Sequence, residues 1–380
     1  MVGTANTTKL PPMREVSKSL QVRWYRCPLD KQTLRELMTP NDRRGLFLAL
    51  GHLGFWIVSG SATFYFYLQQ LWLPFATILF WHGTIAAFLT APHHELCHRT
   101  VFRTKFLNEV FLRIYALIGW NNFEIYQFSH NYHHRFTLHP EGDREEIMPA
   151  KPSLRAFYIL QLFTVNIFGG YQSKGLVPTL HNFLAIAVNR FDNPYNSWGE
   201  ELYDGYDEHR KRAINWARVT LLFHACLLVA AFAMGHPLIA LLTSGSPFLA
   251  NWWRYFVGVT MHCGLKSNAT DFRKSVRTIT LDPVSEFLYW HMNWHLEHHM
   301  YAGVPCYNLK ALHQATADDM PKPRTLLSAW KEMRETWKRQ LTDPDYAFDT
   351  PLPSRSGIGE ARPNSLARSI GDLGPKELTQ

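Results

Sequence analysis

The sequence predicts an all-α integral membrane protein with four transmembrane helices arranged as two hairpins. Its apolar segments have room for four membrane-crossing helices, and basic residues flank these segments in one consistent pattern. The 13 Trp, 16 Tyr and 25 Phe supply the aromatic side chains that are enriched at membrane interfaces. Hydrophobic residues make up 46% of the 380 residues and charged residues 18%, which indicates a folded chain and not a disordered one.

The first hairpin is predicted from residues 46–68 and 71–91. Each stretch has about 20 residues without an acidic or basic side chain, which is the length that crosses a bilayer. Gln69 and Gln70 leave room only for a tight turn between the two helices. Two buried helices of a soluble core are the alternative explanation of this pattern.

The second hairpin is predicted from an apolar block that runs from residue 219 to about residue 262 and has room for two spans. The turn falls either at Gly235-His236-Pro237 or within residues 243–247, and the sequence leaves both open. Arg254 lies inside the last span. We expect it near an interface or facing protein, because a charge that faces lipid is costly.

Positive charge indicates the orientation of the spans. Basic residues precede the first and third spans and follow the second and fourth, and they are Arg43, Arg44, Arg99, Arg103, Lys105, Arg210, Lys211, Arg212, Arg218, Lys266, Arg273 and Lys274. By the positive-inside rule these four places are cytosolic, and an even number of spans puts both termini on the same side.

The chain divides into three predicted parts. Residues 1–44 form a polar N-terminal cytosolic segment, and residues 45–341 form the membrane domain with its cytosolic portion. Residues 342–380 are rich in Pro, Ser and Gly, which predicts a disordered C-terminal tail. Two apolar stretches, 106–119 and 154–170, are shorter or interrupted and indicate interfacial helices.

The charge of +8 favours a membrane surface over nucleic acid as the partner, because the basic residues flank apolar segments and form no long run interleaved with aromatics. The five cysteines show no CxxC spacing, so we interpret them as reduced thiols. They are Cys27, Cys97, Cys226, Cys263 and Cys306.

Three histidine-rich segments, called here the first, second and third histidine boxes, carry the chemistry. They are His93-His94-Glu95-Leu96-Cys97-His98, His130-Asn131-Tyr132-His133-His134 and His295-Leu296-Glu297-His298-His299. The last two boxes share the pattern HxxHH, whose positions i, i+3 and i+4 lie on one face of a helix. The imidazoles of each box can therefore converge on one point.

The number of imidazoles predicts two metal ions. Imidazole is a ligand for iron, zinc, copper and nickel, and eight or more exceed what one ion accepts. One HxxHH motif is expected by chance about 0.05 times in a chain of this composition, and two are much rarer. Surface histidines without metal are the alternative. His52, His82 and His224 lie inside predicted spans without partners at helical spacing, and we expect structural roles for them.

The first box on its own has a second interpretation. His94-Glu95-Leu96-Cys97-His98 matches HExxH, the zinc metalloprotease motif in which Glu is the general base. A metalloprotease needs one more ligand and a water-filled cleft, and it leaves both HxxHH boxes unexplained.

The three boxes in this order resemble the membrane fatty acid desaturase and hydroxylase superfamily over about residues 45–315. The segment from Glu297 to Pro305 also looks like the final box of that superfamily and the residues that follow it. The resemblance implies a helical cytosolic cap that holds a di-iron centre above a tunnel for an alkyl chain.

The resemblance also implies a ligand set. It comprises His94, His98, His130, His133, His134, His262, His295, His298 and His299. His93 is an alternative to His94, because the first box of the superfamily is either HxxxH or HxxxxH. His94 is favoured because residues 94–98 resemble those first boxes that read HExxH. Relatives carry Asn four residues before the position of His262, whereas this chain has Gly258, which puts a water-mediated contact there in doubt. His93, Glu95, His291 and Glu297 are candidates for supporting the ligands by hydrogen bonds.

The implied activity is O2-dependent oxidation of an unactivated C–H bond in a fatty acyl or other lipid-like chain. Desaturation is the favoured outcome, and hydroxylation of a lipid, alkane or isoprenoid by the same centre is the alternative. A membrane-embedded scaffold with unused boxes is a further alternative. No ferredoxin, rubredoxin or flavin motif is found, and His139-Pro140-Glu141-Gly142 is not the HPGG of a fused b-type cytochrome. We therefore expect a separate electron donor of the ferredoxin, rubredoxin or b-type cytochrome class, and location in the bacterial inner membrane or the endoplasmic reticulum.

Overall fold

The computed structural model describes residues 11–145, 154–169, 175–193 and 198–353, and this part of the chain is mainly helical. The first nine helices are α1 Met13–Ser19, α2 Lys31–Leu37, α3 Asp42–Leu68, α4 Trp72–Ala87, α5 Thr90–Cys97, α6 Lys105–Ile118, α7 Phe123–Phe136, α8 Ala156–Phe163 and α9 Leu176–Ala187. The later helices are α10 Gly199–Tyr203, α11 Asp207–Ala233, α12 Leu238–Phe248, α13 Trp252–Gly258, α14 Phe272–Ser275, α15 Pro283–Leu288, α16 His295–Met300, α17 Leu309–Ala315 and α18 Leu326–Arg339.

The first hairpin consists of α3 and α4. The side chain of Asn41 caps α3 by accepting a hydrogen bond from the backbone N–H of Arg44. Gln70 adopts a φ of 55°, which lets the chain reverse within three residues before α4 begins at Trp72. Large apolar side chains such as Val58 and Leu73 are 67% and 80% exposed, which is typical of a surface that faces lipid.

The second hairpin differs from two uninterrupted spans. Helix α11 is 27 residues long, and the chain turns at Gly235, whose φ of +72° favours glycine. The turn is therefore at Gly235-His236-Pro237, whereas residues 243–247 are helical. The returning segment is divided into α12 and α13 by a break at residues 249–251, where Ala250 has a φ of 44°.

Three helical segments among the described residues are long and apolar enough to cross a membrane. They are Lys31–Leu68, Trp72–Cys97 and Asp207–Ala233. The predicted fourth span corresponds to α12 and α13, which are each too short to cross alone. The chain is thus mostly helical with three candidate spans, and a complete fourth span stays a prediction.

The helices outside the two hairpins pack around a buried core, and they are called the cap here without reference to a side of the membrane. Trp290, Tyr115 and Phe88 are fully or nearly fully buried in this core. Two short parallel strands, β1 Ile279–Thr280 and β2 Arg324–Thr325, join α18 to the cap. Arg277, which is itself buried, pairs with Glu332 of α18 at 2.6 Å, and this pair fixes the helix against the strands.

Both ends of the described chain pack on the cap. Cys27 is buried against Met300 and Met320, which holds the N-terminal segment in place. Within the predicted disordered tail, the backbone N–H of Phe348 donates to the carbonyl of Gly264 at 2.7 Å, while the disorder of residues 342–380 as a whole stays a prediction. Asp349 bonds both Lys266 and Lys274, and a composition rich in Pro and Ser gives no sign of such a specific contact. Residues 354–380 of that predicted tail, like residues 1–10, lie outside the described residues.

The three histidines inside the spans have the structural contacts expected of them. Trp290 donates to Nδ1 of His52, whose Nε2 lies 3.3 Å from the carbonyl of Ile85. His82 bonds the hydroxyl of Ser59 and the carbonyl of Leu242. His224 bonds Ser244 and the carbonyl of Leu117. Both ring nitrogens of each histidine are therefore used in joining helices.

Candidate metal centre

Short helices place the histidine boxes. The first box lies on α5, which comes soon after α4, and on His98, which directly follows α5. The second lies on α7, which begins where the side chain of Asn122 accepts a hydrogen bond from the N–H of Ile125. The third opens α16 at His295. His262 follows α13, so four separate segments converge.

The histidines form two adjacent buried groups. The five-histidine site contains His94, His98, His130, His134 and His298. The four-histidine site contains His133, His262, His295 and His299. Within each site the potential ligand atoms all lie within 4.8 Å of one another. The nine predicted ligands are thus brought together, and His94 rather than His93 joins the five-histidine site.

The helices α7 and α16 each contribute to both sites. Helix α7 presents His130 and His134 to the five-histidine site and His133 to the other. Helix α16 presents His298 to the five-histidine site, and it presents His295 and His299 to the four-histidine site. The HxxHH spacing therefore builds two neighbouring sites from the same pair of helices, because residue i+3 and residues i and i+4 lie slightly to either side of one helical face.

The distances between nitrogens match shared metal ions. In the five-histidine site, Nε2 of His134 lies 3.0 Å from Nε2 of His130 and 3.1 Å from Nε2 of His298. In the four-histidine site, Nε2 of His295 lies 3.0 Å from that of His262 and 3.1 Å from that of His299. Two nitrogens about 2.0–2.1 Å from one ion and at right angles are roughly 2.9 Å apart.

Hydrogen bonds at Nδ1 direct the opposite nitrogen of several rings into the sites. His130 donates to Glu145 at 2.9 Å, and His133 donates to Asp143 at 2.9 Å. His94 lies 3.0 Å from Glu95. A carboxylate at Nδ1 fixes the tautomer in which Nε2 carries the lone pair, and it makes that nitrogen a better ligand.

Two further rings are oriented by neutral partners. The hydroxyl of Thr137 donates to the carbonyl of His133, so it accepts from Nδ1 of His299 at 3.1 Å. Nδ1 of His262 donates to the carbonyl of Ser275 at 3.0 Å. In the five-histidine site, Nε2 of His94 and Nε2 of His98 are buried without a hydrogen-bond partner among the described residues. Buried lone pairs of this kind fit metal ligands.

Burial keeps these imidazoles neutral. Desolvation, with a smaller contribution from His133, lowers the pKa of His98 to about 3. Burial is also the main cause that lowers the pKa of His130, His134, His262, His295, His298 and His299 well below the usual value. Neutral rings have the free lone pair that a metal ion requires.

The four predicted supporting residues have different positions. Glu95 contacts His94 and lies 3.8 Å from Nδ1 of His298, and its supporting role stays a prediction. His93 lies outside both sites, with Nε2 3.8 Å from the thiol of Cys97. His291 pairs with Glu286. Glu297 contacts His313 and Thr278, which are outside both sites.

Sequence reasoning missed Asp143, Glu145 and Thr137. Thr137 follows α7 directly, and the two acids lie in the acidic segment 141–145 soon after the second box. That proximity was the available signal. Proximity in sequence does not predict which acid of the loop reaches which histidine. The pairing of Asp143 with His133 and of Glu145 with His130 is therefore seen only in the structure.

A cavity of about 670 Å³ borders both sites. His94 and His130 of the five-histidine site and His133, His262 and His295 of the four-histidine site contribute to its wall. The other walls come from α4, α9, α12 and α13 and from the segments that precede α5 and α16, with small and apolar side chains such as Ala86, Leu89 and Met292. The cavity has the size of a small-molecule site.

These features define a helical membrane protein with paired, buried polyhistidine sites beside a ligand-sized cavity. Comparison with protein families agrees: the family described as "Fatty acid desaturase" matches residues 70–330, which include all nine histidines of the two sites. Because the match covers more than half of the chain, the protein belongs to the fatty acid desaturase family. A search of curated proteins finds no match. Membership in the family makes the chain an oxidoreductase that acts on lipid in a membrane setting.

Proposed function

We propose that this protein is an O2-dependent di-iron enzyme that oxidises an unactivated C–H bond of a fatty acyl or similar chain, with desaturation as the outcome. The observation that carries the proposal is the pair of neighbouring histidine sites beside one cavity. A substrate chain in that cavity would lie against the metal-binding face of both sites. Such positioning is the main contribution that a protein makes to cofactor chemistry.

The donor sets fit two ions of the iron class. Nine neutral imidazoles are available, and imidazole is a ligand for iron. Irons held by the five-histidine and four-histidine sites would supply the O2-dependent oxidation chemistry when bound. Glu145, Asp143, Glu95 and Thr137 would hold the rings in place, and the buried setting would exclude bulk water.

The proposed topology has four spans, with α12 and α13 as the interrupted fourth. The positive-inside rule puts both termini and the histidine boxes on the cytosolic side, in the bacterial inner membrane or the endoplasmic reticulum. In this arrangement residues 45–341 form one membrane domain with its cap. Short helices at membrane depth are tolerated where they are buried in protein or line a cavity, and α12 and α13 both line this one.

The electrons would come from a separate carrier of the ferredoxin, rubredoxin or b-type cytochrome class. The net charge of +8 supports an acidic partner, because opposite charge speeds encounter. Oxidation of substrate by purified protein with O2 but no reductant or carrier would refute this part of the proposal.

The test is lipid profiling of a host that expresses the wild type, His298→Ala or His236→Ala. His298 belongs to the five-histidine site, whereas His236 is exposed in the turn between α11 and α12 and serves as the matched control. A new double bond with the wild type and His236→Ala, absent with His298→Ala, supports desaturation. A new hydroxyl with the same dependence assigns hydroxylation instead.

Metal analysis separates the other classes of function. The enzyme should hold about two irons per chain, a HExxH metalloprotease one zinc, and a scaffold none. In the structure His94 and His98 share their site with three further histidines, which is more than a metalloprotease zinc site uses. One zinc with no iron would overturn the proposed function.

A further inference from the structure

Arg254 brings a cationic side chain into the wall of the cavity. It lies on α13 and is partly buried. Its Nε donates to the hydroxyl of Thr90 at 3.1 Å, and Thr90 opens the helix that carries His94. The guanidinium is therefore tied to the element that builds the five-histidine site. Arg254 lies in the proposed fourth span, and a charged residue within a membrane span generally has a functional role.

The local backbone leaves space for this guanidinium. Gly258 lies one helical turn after Arg254, and a Cβ at that position would come within 3.2 Å of Nη1 of Arg254. An added Cβ would press lightly on the guanidinium and would make ordinary contact with the hydroxyl of Tyr289 at 3.6 Å. The absence of a side chain at Gly258 thus gives the guanidinium room beside α13.

A hydroxyl group in the same cavity is also available to a ligand. Thr179 of α9 is only 5% exposed, and its Oγ1 has no hydrogen-bond partner among the described residues. A buried polar atom without a partner is destabilising unless a ligand or water satisfies it. Arg254 and Thr179 both line the cavity, together with Glu145, Asn121 and Asn251, so its wall offers several polar partners to a ligand.

The cavity volume indicates how much of a ligand can lie inside it. At about 30 Å³ per non-hydrogen atom, 670 Å³ holds roughly 22 such atoms. A free fatty acid of about 16–18 carbons has roughly this size, whereas the head of a phospholipid or a nucleotide-containing thioester would have to stay outside. A polar anchor inside the cavity is then of use only to a substrate whose head group enters.

We propose, resting on the oxidase function above, that the substrate is a free carboxylic acid whose carboxylate binds Arg254 inside the cavity. A guanidinium can hold a carboxylate through two parallel hydrogen bonds, and low polarity around the pair strengthens the attraction. The hydrocarbon chain would then extend from Arg254 past the histidine sites. Esters, thioesters and phospholipids lack this charge at the chain end.

The experiment measures binding separately from turnover. The metal-loaded full-length protein in lipid nanodiscs is tested by scintillation proximity with labelled octadecanoic acid and its methyl ester, and empty nanodiscs are subtracted. We expect the acid to bind about tenfold or more tightly than the ester. Arg254→Gln should weaken acid binding by a similar factor and change ester binding less than about twofold. Arg103→Gln, an exposed arginine outside the cavity, should change neither.

The comparison of acid with ester in the wild type needs no variant, so a folding defect in Arg254→Gln does not obscure the result. Equal affinity for acid and ester, or displacement of the acid only by a thioester or a phospholipid, would overturn the assignment. Strong acid binding without any oxidised product under O2 and a reductant would instead refute the oxidase function and leave the Arg254 site standing.

Discussion

Carboxylates lie at Nδ1 of His130 and His133, where they would raise the affinity of the rings for metal. Glu145 and Asp143 each accept a hydrogen bond from a histidine on the same helix, so one loop supports one ring in each site. Asp143 also accepts from the backbone N–H of Leu138, which makes it part of the loop structure. Glu145 is the better position for a test, since its carboxylate bonds the side chains of Ser129 and His130.

Glu145→Gln should lower metal affinity or activity about 10–100-fold, because the neutral amide polarises the His130 ring less than a carboxylate does. Metal content after dialysis against graded chelator measures the effect. Glu141→Gln, an exposed carboxylate in the same loop, is the control and should behave like the wild type. Equal metal retention by both variants would show that Glu145 has no role in supporting His130.

The adjacent residues His93 and His94 form a natural pair for a second test. His94 belongs to the five-histidine site, whereas His93 lies against Cys97 and the ring of Tyr126. His94→Ala should reduce bound iron from about two per chain to about one and abolish turnover, while His93→Ala should retain both ions. Iron counted by mass spectrometry on the purified variants decides, and the reverse pattern would reassign the first box.

At the scale of helices, the HxxHH pattern predicted shared faces correctly but not the division between sites. The sequence gives the spacing of His130, His133 and His134, and α7 realises it. Which of these rings belongs to which site depends on how α7 and α16 pack against each other. That packing is determined by tertiary contacts, and no repeating pattern in the sequence predicts it. His262 was expected only from family resemblance, because a single histidine outside a motif has no neighbouring histidines at helical spacing that would indicate a ligand.

The break between α12 and α13 is held by a close contact with α4. A Cβ on Gly83 would lie 2.5 Å from Cβ of Leu249 and 2.8 Å from its carbonyl oxygen, so glycine is required where the helix passes the break. Gly83→Ala should destabilise the protein by about 1–3 kcal/mol, because the backbone at Leu249 must move.

The control is Gly54→Ala on α3, where a Cβ would meet nothing within 4 Å. That change should leave stability unchanged or raise it by up to about 1 kcal/mol, because alanine favours helix. Thermal unfolding midpoints in one detergent compare the two. A similar midpoint for both variants would mean that α4 does not pack closely on the break.

For the whole molecule, hydropathy and charge predicted the helical class and the first hairpin. The interruption at residues 249–251 escaped notice because apolar composition continues through it. The docking of residues 342–353 also escaped, since it depends on Asp349 meeting Lys266 and Lys274, which are far away in sequence. Long-range pairings of this kind carry no local signal.

The stability of the metal-free protein should fall as the pH falls. Burial lowers the folded-state pKa of His98 to about 3 and lowers those of His130, His295 and His299 as well, whereas an unfolded histidine titrates near 6.5. Below about pH 6.5 the unfolded state therefore binds more protons, and each such group removes up to about 1.4 kcal/mol of stability per pH unit until its folded pKa is reached.

Thermal midpoints of chelator-treated protein between about pH 8 and pH 5 measure this loss, which should begin near pH 6.5. Metal-loaded protein at the same pH values is the comparison. Bound metal favours the neutral ligands of the folded state, so its midpoint should be higher throughout and should approach the metal-free value once protons displace the ions. A metal-free midpoint that stays constant or rises toward pH 5 would mean that these imidazoles are not buried together as the structure has them.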